Sequence, residues 1–121
     1  MLEEKLQKHL EEFEKTIPEI IATNIVKQDG FSIVNTGKKG YDSKRYAAMT
    51  AGLFGISQRT MNALEGGNLA QTYIKGKEIE IILVSIPGKK MFVSVITSKD
   101  PNIGLIIYQL EELVNKLKEV L

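Results

Sequence analysis

Two apolar segments constrain the fold more than any other feature of this sequence. Residues 79–86 and 91–97 are nearly continuous runs of apolar side chains, and the turn pair Pro87-Gly88 lies between them. A strand with one solvated face alternates apolar and polar residues, whereas a strand that is covered on both faces does not. The two segments therefore predict neighbouring strands of one sheet that has helices on both faces.

Three helices could provide this cover. The first is an amphipathic helix that ends before Pro18, because the residue before a proline avoids the helical region; its apolar stripe is Leu2, Leu6, Leu10, Phe13 and Ile17. The second starts after an Asp42 or Ser43 cap and runs to about Glu65. The last begins at Asp100-Pro101, with the aspartate as its cap and the proline at its first position.

Three further segments are predicted strands. Residues 20–27 and 31–36 flank Asp29-Gly30, a pair that suits a two-residue hairpin turn. A loop follows at 37–40, and residues 69–75 form the third strand of the chain. The element order is α-β-β-α-β-β-β-α. It indicates a single α/β (α+β) domain over residues 1–121, with a five-stranded sheet of antiparallel type between helices.

Composition excludes several classes of function. The chain has 121 residues and a formal net charge of +1, which is unusual for a nucleic-acid-binding domain. It has no cysteine, so disulfides and thiolate metal sites are excluded, and a reducing cytoplasm is expected. No apolar run approaches the roughly 18 residues of a membrane helix, so no membrane insertion is expected.

No constellation of catalytic residues is visible. His9 is the one histidine, and it lies on the charged first helix. No nucleophile is spaced to meet a base, and no ligand set for a metal or organic cofactor is found. We therefore predict a protein that is not an enzyme and holds no cofactor.

The second helix carries two different faces. Its large side chains share one face, which we expect to pack against the sheet: Tyr46, Met49, Leu53, Ile56 and Leu64. Its small side chains share the opposite face with Arg59 and Asn62: Ala48, Ala51, Gly52 and Gly55. Glycine within a helix costs about 1 kcal/mol against alanine, so two glycines suggest the close approach of another backbone.

Two alternatives of other classes remain open. The segment Gly55-Ile56-Ser57-Gln58-Arg59-Thr60 imitates a helix-turn-helix, in which a glycine turns the chain and Gln58 and Arg59 meet base edges. The continuous phase of the large side chains from Tyr46 to Leu64 argues against such a bend. A small-molecule sensor of related shape would need convergent polar groups in an apolar pocket, and the sequence shows no such set.

Several short segments resemble the Roadblock / dynein light chain family over nearly the full length of the chain. They are residues 28–34, which are similar to its first hairpin; Tyr41-Asp42 before a helix with Ala47, Ala48 and Ala51; and residues 100–105, which are similar to the start of its last helix. The resemblance implies a profilin-like, non-enzymatic α/β/α module with sheet order 2-1-5-4-3 and the third strand at the edge. The Lys-, Glu- and Ile-rich composition suggests a prokaryotic source.

The resemblance also implies partners. Two copies of such a protein pair their edge strands and middle helices, and members regulate or scaffold Ras-like small GTPases or bind dynein intermediate chains. We expect a homodimer whose interface includes Ala48, Ala51, Gly52, Gly55, Leu69, Gln71, Thr72, Tyr73 and Ile74. The edge segment has no charge before its last residue to repel a second copy. For the GTPase we expect contacts from Gln58, Arg59 and Asn62.

Overall fold

Within the residues that the structure describes, eight elements follow one another in the predicted order. The computed structural model describes residues 1–37 and 42–121. Residues 38–40 of the predicted loop, and Tyr41 after it, lie outside the described residues. The elements are α1 (Leu2–Lys15), β1 (Ile20–Lys27), β2 (Ser32–Asn35), α2 (Ser43–Ala63), β3 (Gln71–Lys75), β4 (Ile79–Ile86), β5 (Met91–Ser98) and α3 (Ile103–Val120).

The five strands form one antiparallel sheet in the order β2-β1-β5-β4-β3. This confirms the fold class and the strand order. The long strands β4 and β5 lie inside the sheet, and β5 is buried along nearly its whole length. The shorter strands β2 and β3 form the two edges.

The sheet has a separate apolar core on each face, as the two continuous apolar runs predicted. On one face, α1 and α3 pack together over Ile25, Ile82 and Val95. On the other face, α2 packs over Val26, Leu83 and Phe92. Alternate residues of each strand point to opposite faces, so β4 and β5 must be apolar at nearly every position.

The structure corrects the predicted orientation of α2, because the face on the sheet lies between the predicted large-residue face and the small-residue face. Tyr46 still reaches the sheet, where its hydroxyl forms a hydrogen bond with Ser94. The buried side chains of α2 are Ala47, Thr50, Ala51 and Phe54, while Met49, Leu53 and Ile56 are 59%, 39% and 55% exposed. The cause is volume complementarity, because the sheet presents the large ring of Phe92 under the helix. Small residues on α2 make room for it, and Phe54 stacks on Phe92 with 4.6 Å between ring centroids.

Two element starts also differ from the prediction. The third strand begins at Gln71 because Leu69 turns inward and is buried in the α2-side core. The cap of α3 is Asn102, whose side chain accepts a hydrogen bond from the Leu105 N–H at 3.1 Å. Asp100 is not the cap because it lies before the helix in a left-handed conformation, with φ of 54°.

Candidate interaction surface

The edge strand β3 presents a regular row of unpaired backbone groups. Ser85 N–H donates to the Ala70 carbonyl at 3.1 Å, and Gly76 N–H donates to the Ile79 carbonyl at 2.9 Å. Hydrogen-bonded positions alternate along an antiparallel ladder, so Thr72 and Ile74 also pair with β4. The N–H and C=O groups of the intervening residues therefore point outward; these are Gln71, Tyr73 and Lys75. No strand covers this edge within the described ranges.

The side chains of β3 divide between the two faces of the sheet. Thr72 and Ile74 are half-buried on the α2 side, opposite Leu83 and Ile81. Gln71, Tyr73 and Lys75 are exposed on the α1–α3 side. Lys75 carries the strand's one charge, and its Nζ lies 3.8 Å from a carboxylate oxygen of Asp100. A second strand could therefore approach without meeting a central charge.

The outer face of α2 is apolar. Met49, Leu53 and Ile56 recur along one side of this helix, and exposed Gly52 lies among them. A Cβ added at Gly52 or Gly55 would meet no described atom within 4 Å. Packing within the chain therefore does not require glycine at either position.

The small residues expected at the dimer interface lie in different environments. Ala48 and Gly52 are exposed and Gly55 is half-buried. Ala51 is only 9% exposed and packs in the core beneath the helix, so the structure places it inside the protomer. Leu69 is likewise a core residue, at 8% exposed.

The three residues expected to bind a partner lie in different environments. Gln58 is half-buried, and its side-chain oxygen accepts a hydrogen bond from the Leu69 N–H at 3.1 Å. Its amide nitrogen donates to the Asn62 oxygen at 3.0 Å. Gln58 therefore anchors the segment before β3 to α2, while Arg59 and Asn62 are exposed.

The helix-turn-helix alternative is wrong. It requires a turn near Gly55, whereas α2 is one continuous helix from Ser43 to Ala63. Ser57 and Thr60, at the start of the supposed recognition helix, donate hydrogen bonds to the carbonyls of Leu53 and Ile56 within that helix.

A cleft of about 670 Å³ opens between α3 and the start of β3. Its apolar walls include Val84, Ile107 and Leu110, and its polar rim includes Gln58 and Glu111. The Gln58 oxygen is already engaged with Leu69. The cleft gives a sensor function a location, and because Gln28, Asn68 and Asn115 also line it, this alternative stays open.

Neither a metal cluster nor a membrane-spanning helix occurs in the described part of the chain. Residues 1–37 and 42–121 contain no group of three acidic, histidine or cysteine side chains that could hold a metal ion. Over the same ranges, no helix has the length and apolar character needed to cross a bilayer.

Sequence reasoning missed two features of this region, one exposed and one buried. The first is the exposed stripe of Met49, Leu53 and Ile56, which was assigned to the sheet. Its periodicity is visible in the sequence, but periodicity alone does not tell which face of a helix is buried. The second is Glu80, a buried carboxylate in the apolar strand β4. An acidic residue inside a continuous apolar run was the available signal.

The comparisons with known proteins agree with this architecture. The sequence profile of the Roadblock/LC7 domain matches residues 5–96. The uncharacterised protein MJ0310 of Methanocaldococcus jannaschii is 30% identical over 94 residues, which cover 78% of this chain and 81% of that protein.

Solved structures share the fold at low sequence identity. Myxococcus xanthus MglB superposes with a TM-score of 0.87 and 15% identity, over 96% of this chain and 94% of MglB. An MglB structure with a tetrameric arrangement superposes with a TM-score of 0.89 and 12% identity, over 99% of this chain and 90% of that chain. These structures support the fold alone, whereas the profile match covers most of the sequence. The chain belongs to the Roadblock/LC7 domain family.

Proposed function

We propose that this protein is a homodimeric regulator or scaffold that binds a Ras-like small GTPase and modulates its GTPase activity or location. It is not an enzyme in this proposal and acts in the cytoplasm. The observation that carries the proposal is the combination of an unpaired β3 edge and an exposed apolar face of α2 in a Roadblock/LC7 domain. Both features are surfaces for protein contacts rather than sites for chemistry.

The geometry of the edge favours one pairing register. Two β3 strands overlap fully when Tyr73 faces Tyr73 of the second copy and Gln71 faces Lys75. All three outward-pointing residues then lie in hydrogen-bonded pairs, each of which exchanges two bonds. The register also keeps the two lysines apart, since like charges directly opposite destabilise a sheet. A two-fold pairing of this kind closes on itself and forms no fibre.

The outer face of α2 would support the same dimer. Met49, Leu53 and Ile56 offer apolar area, and Gly52 among them would let a second helix approach closely. This part of the proposal replaces the small-residue contact expected from sequence, because Ala51 faces the sheet. An interface of standard size would bury about 800 Å² on each partner.

Arg59 remains the residue proposed to contact the GTPase, with Asn62 beside it on the exposed side of α2. The test is titration calorimetry with purified Ras-like GTPases of the source organism, loaded with GDP or with a non-hydrolysable GTP analogue, followed by single-turnover hydrolysis. Arg59→Glu should weaken binding by about tenfold or more if the arginine is a desolvated anchor. Lys116→Glu makes the same charge change on α3 and serves as the control.

Each outcome separates the parts of the proposal. Binding without faster hydrolysis supports a scaffold, and faster hydrolysis supports a regulator. Equal binding by wild type and Arg59→Glu would move the contact to another surface. Absence of binding to every such GTPase, in either nucleotide state, would contradict the proposed partner class.

A further inference from the structure

Glu80 is the one ionisable side chain among the buried residues that the structure describes, at 1% exposed. It lies on β4, which flanks β3 on the side opposite the open edge. A buried carboxylate is unfavourable unless hydrogen bonds compensate its lost hydration. An aliphatic residue would fill the same place in an apolar strand without that penalty. The position of Glu80 therefore calls for an explanation beyond packing.

The two carboxylate oxygens of Glu80 serve different elements. One accepts a hydrogen bond from the Tyr73 hydroxyl on β3. The other accepts a hydrogen bond from the Asp100 N–H at 3.1 Å, in the turn between β5 and α3. Glu80 thus joins the edge strand to the segment that starts α3.

A second link runs parallel to the first. Lys75, at the end of β3, lies 3.8 Å from the carboxylate of Asp100. This pair is exposed, so it contributes little by itself. Tyr73 and Lys75 are, however, two of the three residues whose backbone groups point outward along the edge. The turn at Asp100 is therefore tied to most of the surface that a second strand would use.

We infer that Glu80 is a positioning residue for dimerisation, which holds the β3 edge in its pairing conformation and couples it to the turn that begins α3. This inference rests on the proposed homodimer. An edge strand with a neighbour on one side loses backbone and side-chain freedom when a second strand binds, and prior ordering reduces that cost. The Tyr73–Glu80 bond also directs the tyrosine ring toward β4, away from Tyr73 of the second copy.

The coupling has a consequence for regulation. If the β5–α3 turn and the edge share one hydrogen-bonded carboxylate, a partner that displaces the turn weakens pairing. By thermodynamic linkage, pairing in turn opposes the displacement of that turn to the same extent. The start of α3 would then be a control point for dimerisation, although it lies on no proposed interface.

The experiment compares Tyr73→Phe and Glu80→Gln with the wild-type protein by sedimentation equilibrium. Tyr73→Phe removes only the hydroxyl, while Glu80→Gln keeps an acceptor for the Asp100 N–H. Each should raise the dimer dissociation constant by about tenfold, the scale expected for loss of a hydrogen bond to a charged group. Tyr108→Phe makes the same chemical change at an exposed position of α3 and should leave the dimer dissociation constant unchanged. Circular dichroism checks that each variant folds.

A spectroscopic readout tests the link without reference to dimerisation. The hydrogen bond to Glu80 raises the pKa of Tyr73 to about 12, with further contributions from partial desolvation and from the charges of Glu80 and Asp100. NMR of tyrosine labelled at Cζ should show this pKa fall toward the ordinary value of about 10 in Glu80→Gln. A structural role without the Tyr73–Glu80 bond would not move this titration.

The outcomes distinguish this inference from the proposed function. A wild-type dimer that both variants leave intact would overturn the positioning role and spare the homodimer. A wild-type monomer would contradict the homodimer, and the positioning role with it. If Glu80→Gln fails to fold, Tyr73→Phe alone decides.

Discussion

The stacked pair Phe54–Phe92 sets how α2 lies on the sheet. The rings are nearly parallel, with 7° between their planes, and both are almost fully buried. Truncating a buried phenylalanine to alanine removes apolar contact and leaves a cavity, which costs about 3–5 kcal/mol. Phe54→Ala should lower the free energy of unfolding by this amount in urea denaturation.

The control for this prediction lies at the C-terminal end of the same helix. Leu64→Ala removes an exposed side chain at the end of α2 and should change the free energy of unfolding by less than about 0.5 kcal/mol. Similar losses for the two variants would show that Phe54 is not the packing centre of this face.

Tyr73 makes a second prediction at the residue scale. Its pKa in the folded protein is raised to about 12 by the hydrogen bond to Glu80, against about 10 in the unfolded chain. Between these values the unfolded chain loses the proton while the native protein keeps it. The contribution of Tyr73 to stability is therefore fully present below about pH 10 and is lost as the pH rises toward 12.

The measurement is urea unfolding of the wild type and Tyr73→Phe at the same protein concentration between pH 8 and pH 11.5, a range chosen around the ordinary tyrosine pKa of about 10. The difference in free energy of unfolding should narrow above about pH 10, because other groups titrate alike in both proteins. A constant difference across this range would mean that Tyr73 has an ordinary pKa.

At the scale of elements, the sequence predicted strands better than it predicted helix orientation. The runs of β4 and β5 have one explanation, since continuous apolar residues in two short segments need cover on both faces. Helix α2 buries neither its large-residue face nor its small-residue face but the one between them, and this orientation depends on Phe92, which is distant in sequence. Before α3, the Asp100 N–H donates to the distant Glu80 while Asn102 caps the helix, and no local pattern indicates the contact with Glu80.

Gly52 gives a prediction for α2. A Cβ there meets no described atom within 4 Å, and leucine has a higher helix propensity than glycine, which is about 1 kcal/mol less favourable than alanine. Gly52→Leu should therefore leave the protomer folded, as seen by circular dichroism, while its bulk prevents a second helix from approaching. Light scattering should then show a loss of dimer.

The matched control is Gly104→Leu, which makes the same change at an exposed glycine of α3. A Cβ at Gly104 would have only the Asn102 Oδ1 within 4 Å among the described atoms, in ordinary contact at 3.7 Å. The bond from the Asp100 N–H to Glu80 should therefore persist and the dimer should stay intact. If Gly52→Leu also forms a normal dimer, the outer face of α2 does not contribute to pairing, while the strand contact is unaffected by that result.

The alternating direction of the backbone N–H groups along β3 predicts different effects of proline at adjacent positions. Gln71 N–H points to the open edge, and proline is tolerated at the first residue of an edge strand. Gln71→Pro should weaken the dimer in sedimentation experiments while the protomer stays folded. Thr72 N–H points to β4, so Thr72→Pro should break the internal ladder and destabilise the fold itself, as seen by circular dichroism. The same defect for both prolines would refute the assigned direction of the backbone groups.

At the scale of the whole molecule, the two proposed contact surfaces have complementary roles in the proposed dimer. The protomer has an accessible surface of 7443 Å², and a standard interface takes about 10% of a small protein's surface. Strand pairing supplies direction and register, and the outer face of α2 supplies apolar area. Neither alone meets both needs, since a single strand pair is narrow and an apolar helix face does not specify orientation.

This division of roles leads to a prediction about mass action. When only folded protomers associate, the midpoint temperature of unfolding rises with protein concentration, because dimerisation stabilises the native state and not the unfolded chain. Light scattering should give twice the chain mass of 13.5 kDa at micromolar concentration, and calorimetry should show a midpoint that increases over a hundredfold range of concentration. Gly52→Leu and Gln71→Pro should each flatten this dependence. A wild-type midpoint independent of concentration, together with the mass of one chain, would refute the dimer, because unfolding of a monomer involves no change in the number of particles.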